Sequence, residues 1–269
     1  MFYDSFKKLK NQLLLIVFLF IVSACKQETK PVIGVDYSQE KLDVTTSIYP
    51  EDIAKTLNAH GQIDQWNTFN TLVFTMKKTT GDEITTTDLK DRRALIETND
   101  FKIGYAGDEA WLINKGDNKY EGNPQFYYNL MFYFYAMPFV LADDGITYTN
   151  VEPLNAGGKE YPGIKISYGE SIGESPEDEY IMYYDAETNK MAWLAYTITF
   201  FTKEKSKDWH FIKYVDWQTI KGMVLPKTLE WYKSDVFTIG EKRKDLLITD
   251  VSLSKNKLEK DFFKNPEKE

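Results

Sequence analysis

The chain has 269 residues, 42% of them hydrophobic and 15% aromatic, enough to bury a sizeable core and too apolar for bulk disorder. Its 41 Asp and Glu against 33 Lys and Arg give a net charge of −8, which argues against nucleic acid, because phosphate backbones select basic patches. A single Cys excludes a disulfide framework or thiolate cluster, and only two His, His60 and His210, argue against a His-rich zinc site.

The N-terminus reads as an address. Lys7, Lys8 and Lys10 precede an apolar run from Leu13 to Val22, and the small pair Ser23-Ala24 ends it, which is the pattern of a secretory signal. The run is far shorter than the roughly 20 residues a spanning helix needs. Val22-Ser23-Ala24-Cys25 resembles the lipobox of bacterial lipoproteins. The resemblance implies cleavage before Cys25 and a diacylglycerol thioether plus an N-acyl chain on it. Several chains are needed for a stable anchor, since each buried methylene contributes roughly 0.8 kcal/mol. The expected pieces are a signal peptide at 1–24 and a polar lipidated tether at 25–47. By resemblance to enterobacterial sorting, Lys26 rather than Asp after the Cys implies export to the outer membrane.

Pro50 predicts the start of a helix, with Ser47 as a possible cap, Ile53, Ala54 and Leu57 on one face and Gly61 as its stop. His60 falls in the last turn, where a donor or cation suits the helix dipole. The period then becomes two. "TLVFTMK" sets Leu72, Phe74 and Met76 on one face, and "EITTTDLK", "RRALIETN", "FKIGYAG" and "EAWLINK" follow between turn residues. Gaps this short allow only antiparallel pairing.

"NPQFYYNLMFYFYAMPFVLAD" (Asn123 to Asp143) interrupts the strands, uncharged from Pro124 to Ala142. Asn123 is a good cap and Pro124 a good first helical residue, so the pattern predicts a helix over about 124–141, kinked or ended at Pro138. Asp143-Asp144-Gly145 reads as the turn that closes it. Strands resume with "GIKISYG", "EYIMYYD", "KMAWLAYTITFFT", "WHFIKYVDW", "MVLPKTLEWYK" and "KDLLITDVSLS", with a hairpin turn at "DAETNK". The acidic stretch "GESPEDE" lacks the spacing of an EF-hand loop and reads as solvated loop. The tail 255–269 reads as a frayed helix or loose segment. The predicted fold class is α+β: one domain at 48–254, a large curved antiparallel sheet of about ten strands with two or so covering helices.

No H-E-x-x-H pair occurs, and nothing singles out a carboxylate pair for glycosidase chemistry. The expectation is a non-enzymatic protein with no metal and no cofactor beyond the lipid on Cys25. Trp111, Trp193, Trp209, Trp217 and Trp231 fall on predicted strands as core or edge aromatics, with a glycan-stacking surface as the alternative.

"IGYAGDEAWLI", "YYDAETNKMAWLAY" and "DWQTIKGMVLPKTLEWY" together resemble the LolA/LolB-like outer-membrane lipoprotein-sorting superfamily, although Ala106-Gly107 stands where Asp-Gly is usual. The aromatic segment, with "AHG" and "GYAGDEAWL", resembles more closely an uncharacterised family of envelope lipoproteins from flavobacteria and their relatives. The resemblance covers roughly residues 50–235. It implies a half-barrel holding acyl chains on an apolar concave face beneath a helical lid. Phe126, Tyr127, Leu130, Met131, Phe134 and Met137, with Trp111 and Trp193, are the expected ligand contacts, Met and aromatic side chains suiting irregular apolar guests. Cys25 aligns the chain with the receptor-like, lipid-anchored type. The expected partners are a membrane, through the anchor, and lipid or lipoprotein acyl chains; the expected location is the cell envelope, at the outer membrane. A barrel filled by its own helix, with a structural or interaction role, and a secreted hydrolase remain alternatives.

Overall fold

The computed structural model describes residues 48–143, 145–168 and 177–268. Signal, Cys25, tether and most of the acidic stretch lie outside these.

Twelve strands form one open antiparallel sheet. They are β1 (Thr71–Lys78), β2 (Gly81–Asp88), β3 (Ala94–Glu97), β4 (Phe101–Tyr105), β5 (Ala110–Asn114), β6 (Ile146–Ala156), β7 (Lys159–Tyr168), β8 (Tyr180–Tyr184), β9 (Met191–Tyr196), β10 (His210–Ile220), β11 (Met223–Asp235) and β12 (Thr238–Ser254). The spatial order is β5-β4-β3-β2-β1-β12-β11-β10-β9-β8-β7-β6. Every neighbour except the β1–β12 pair is therefore consecutive in sequence. β1 to β5 meander out to one edge, and β6 to β12 meander back from the other.

This order dictates what lies between β5 and β6. The chain must travel from one edge of the sheet to the opposite edge, across a face whose strands present Leu72, Phe74 and Met76, all fully buried. A segment crossing such a face must itself be apolar, because unpaired polar groups buried there would each cost several kcal/mol. The aromatic stretch is that crossover. Tyr135 meets Phe74 of β1 at 4.4 Å between ring centroids, and Phe134 meets Tyr196 of β9 at 4.8 Å.

The crossover is not one helix. It runs as α3 (Pro124–Tyr127), α4 (Leu130–Tyr135) and a 3₁₀ turn (Phe139–Ala142). The predicted cap is present, with the Asn123 side chain accepting from the Phe126 N–H at 3.1 Å. The breaks release carbonyls that tyrosines outside the crossover satisfy. Tyr214 donates to Phe134 O (2.7 Å), Tyr148 to Leu141 O (2.5 Å) and Tyr49 to Ala142 O (3.2 Å). Aromatic residues have mediocre helix propensity, and these side-chain donors remove the penalty for stopping.

Two further expectations change. β6 is an additional strand: it is an edge strand, and Pro153 sits where its register against β7 shifts between Val151 and Leu154, a place that tolerates a missing N–H. "TITFFT" does not continue β9, which ends at Tyr196; residues 197–209 form an irregular loop.

α1 (Glu51–Ala59) and the short α2 (Ile63–Trp66) cover the same face as the crossover, with Ile53 and Leu57 in the main core. Gly61 is required where α1 ends. Its φ is +107°, and a Cβ there would lie 2.3 Å from the Gly222 carbonyl oxygen of the β10–β11 turn. The opposite face carries two smaller cores. One contains Trp193, Tyr183 and Phe211. The other gathers Leu95, Ala106 and Phe263. Phe263 belongs to a 3₁₀ turn (Lys260–Phe263) and is fully buried, so this part of the tail is docked rather than loose.

Candidate functional site: a cleft beneath the aromatic crossover

The crossover buries one side and leaves the other facing a cleft of about 350 Å³. Met131, Phe132, Tyr135 and Met137 face the sheet and are at most 8% exposed. Phe126, Asn129, Leu130, Tyr133 and Phe134 line the cleft. The opposite walls come from Tyr105 of β4 and from Tyr168 and Tyr180 of β7 and β8. These strands are second from one end of the sheet and second and third from the other, so the sheet curls until its two ends face one cavity. The ends do not pair, and the cleft occupies the opening.

Each wall is fixed by specific contacts. Gln125 accepts from the Ala110 N–H at 2.9 Å, tying α3 to the β5 edge, and Tyr128 stacks on Tyr105 at 4.1 Å. On the far side Phe126 packs against Phe200 (5.2 Å) and Phe201 (5.0 Å), both from the loop after β9. The polar wall is Arg92 and three carboxylates, Asp91, Asp143 and Asp178. The Arg92 guanidinium donates from Nη2 to both oxygens of Asp143 at 2.7 Å and lies 5.0 Å from the centre of the Phe132 ring. Asp178 accepts from the Thr199 N–H at 2.6 Å and the Thr199 hydroxyl at 2.7 Å, and burial pushes its carboxyl above the usual range. Asn129 Oδ1 is buried with no hydrogen-bond partner among the described residues.

A separate recess of about 300 Å³ lies beside α3. There Tyr127 donates to Glu83 Oε1 at 2.7 Å, and Lys78 Nζ donates to Tyr127 Oη and Glu83 Oε2 at 2.6 Å each. The Glu83 side chain is 2% exposed. Burial and the Glu83 charge hold the Tyr127 hydroxyl well above its usual pKa. The three groups satisfy one another and fasten α3 to the β1–β2 hairpin.

Of the residues singled out in the sequence, Phe126, Leu130 and Phe134 line the main cleft. Tyr127 lies in the recess, and Met131 and Met137 belong to the core. Trp111 and Trp193 are not brought to the cleft, because both point to the other face. Trp111 covers Gly104 and donates from Nε1 to Phe263 O at 2.9 Å. A bulge between Tyr183 and Tyr184 displaces Ala192, which puts Trp193 opposite Tyr183 and on the reverse side from Leu194. Tyr105, Tyr168, Tyr180, Phe200, Arg92 and Asp178 carried no sequence signal as site residues; only strand order brings them together. Among the described residues no helix is long and apolar enough to cross a membrane, and no group of three or more His, Cys, Asp or Glu could hold a metal ion.

Comparisons with known proteins give the following. Residues 117–225 match the model of a family described as of unknown function (DUF6503). A comparison with curated proteins found no match. Among solved structures, the chain is similar to a DUF1329 family protein from Desulfovibrio piger, with 10% identity, a TM-score of 0.45, and coverage of 79% of this chain and 95% of that one. It is also similar to an outer membrane lipoprotein-sorting protein domain from Vibrio parahaemolyticus (9% identity, TM-score 0.35, 76% and 96% covered). A LolA superfamily protein from Nitrosomonas europaea gives 8% identity, a TM-score of 0.34, and 72% and 88% coverage.

Proposed function

We propose that this chain is a lipid-anchored bacterial envelope protein that binds an apolar ligand, lipid or lipoprotein acyl chains, in the cleft beneath the crossover and catalyses no reaction. The anchor is the lipid on Cys25, and the location is the outer membrane. The observation that carries the binding role is the open cleft of about 350 Å³ with Phe126, Leu130, Phe134 and Phe200 on its walls. This volume falls within the roughly 300–1,000 Å³ range of small-molecule sites, and the aromatic and aliphatic part of the wall suits a chain with no polar groups. Asn129 and the Arg92–Asp143 pair supply a polar side where a head group would lie. A crossover serving only as a plug would pack flush; this one leaves the side of Leu130 and Tyr133 open.

Native mass spectrometry of full-length protein purified from membranes, with titration of a fluorescent fatty acid, tests the proposal. The expected result is co-purified lipid or saturable probe uptake, weakened in Leu130→Trp, which fills the cleft. Protein without bound lipid that also fails to take up the probe would overturn it in favour of the self-filled sheet.

A further inference from the structure

The opposite face of the sheet carries a second cleft, of about 740 Å³, that the proposed function does not use. Trp193 of β9, Lys213 of β10 and Tyr232 of β11 line it from adjacent strands. Asn155 and Tyr161 flank it from the β6–β7 hairpin, and Phe237 to Gly240 from the start of β12. Two hairpin ends thus form jaws over a three-strand floor.

The floor holds a polar group without a partner. Trp193 is 4% exposed, and its Nε1–H is buried with no acceptor among the described residues. The nitrogen is too enclosed to meet a ligand, so Trp193 contributes its ring to the floor. Aromatic rings surround it. Tyr232 lies 5.0 Å from Trp193 between centroids, and Phe237 lies 5.3 Å from both Trp209 and Phe211. Phe237 is still 37% exposed and Val236 at the same tip 75% exposed, so the jaw presents apolar surface to solvent.

The charges narrow the ligand class. Glu152 and Lys213 are the lining carboxylate and ammonium, so the cleft is formally neutral on a chain of net charge −8. An anion would face Glu152, and a cation would face Lys213. An acyl chain would desolvate Glu152, Asn155, Lys213 and Thr238 without supplying hydrogen bonds, which is costly. A pyranose avoids each penalty. Its C–H face packs on an aromatic ring, and the hydroxyls at its edge both donate and accept, matching an ammonium, an amide and a carboxylate.

We propose that this outer cleft is a binding site for a neutral oligosaccharide, with Tyr161, Tyr232 and Phe237 as the aromatic contacts and Asn155 and Lys213 as polar partners. The site is independent of the lipid cleft, since the two lie on opposite faces of one sheet.

Isothermal titration of detergent-solubilised full-length protein with chitohexaose, maltohexaose and cellohexaose tests it. At least one hexasaccharide should bind saturably. Tyr232→Ala, which removes an aromatic contact from the floor, should weaken binding about tenfold. Tyr161→Ala should weaken it too, while fatty-acid probe uptake stays unchanged. Melting curves establish that each variant folds, and Phe237→Ala, at an exposed hairpin end, replaces any that does not. No binding of the three sugars at millimolar concentration overturns the proposal, as does binding that survives Tyr161→Ala and Phe237→Ala or that the fatty-acid probe displaces.

Discussion

His60 shows how a single residue ties the helical layer to the sheet. Its Nδ1–H donates to Val224 O at 2.8 Å, and its Nε2 accepts from the Met191 N–H at 3.1 Å. The ring is fully buried and meets Trp217 edge-on at 4.5 Å. Both nitrogens are occupied only in the neutral tautomer, since a protonated ring cannot accept from an N–H. The sequence places His60 at the helix end as a donor or cation for the dipole; the structure needs it uncharged, because strands β9 and β11, distant in sequence, close over it. Burial lowers its pKa from 6.5 to about 4. The unfolded chain therefore binds a proton between those values that the folded chain refuses, and stability falls as pH drops through that window. Between pH 7 and 5 this group alone should remove about 2 kcal/mol. Urea unfolding at the two pH values measures it. His60→Gln should show a smaller drop over the same interval, and an equal drop would remove His60 as the cause.

At the scale of elements, the crossover was legible in part. Its cap at Asn123-Pro124 and its apolarity follow from local sequence. Its division into three short turns does not, because the donors that make the breaks tolerable are the hydroxyls of Tyr148, just past the crossover, and of Tyr49 and Tyr214, far along the chain from the carbonyls they reach. β6 was missed for a related reason: an exposed edge strand with Pro153 lacks the alternating pattern that marks the inner strands. The fastening of α3 by Glu83, Tyr127 and Lys78 is equally invisible in sequence, since Glu83 sits in a run of threonines. It makes a direct prediction. Tyr127→Phe removes the hydroxyl that both Lys78 and Glu83 contact, in a nearly dry site, and should lower unfolding free energy by about 1–3 kcal/mol. Glu83→Leu should cost more, because Lys78 then loses its buried counter-charge. Chemical denaturation of both variants decides the order; a Tyr127→Phe protein as stable as the parent would show that the three groups do not hold α3.

For the whole molecule, the open antiparallel sheet with covering helices could be read from short alternating strands with tight turns. The curl that brings β4 and β7 to one cavity could not, because it depends on register and twist accumulated over twelve strands. The membrane role assigned to Cys25 belongs to this scale as well. Cys25→Ser is expected to move the protein from the membrane to the soluble fraction or to leave its signal unprocessed, as fractionation and intact mass would show. Unchanged fractionation and mass would refute lipidation.

A segment joining the two ends of a curved sheet is geometrically a chord to an arc. The ends of β5 and β6 can separate no farther than the chain between Asn114 and Ile146 allows, and three of its carbonyls are pinned to tyrosines along the way. The width of the cleft is thus set by the length of that chord as well as by the side chains on its walls. Deleting residues would draw the two ends together, and inserting them would let the arc relax.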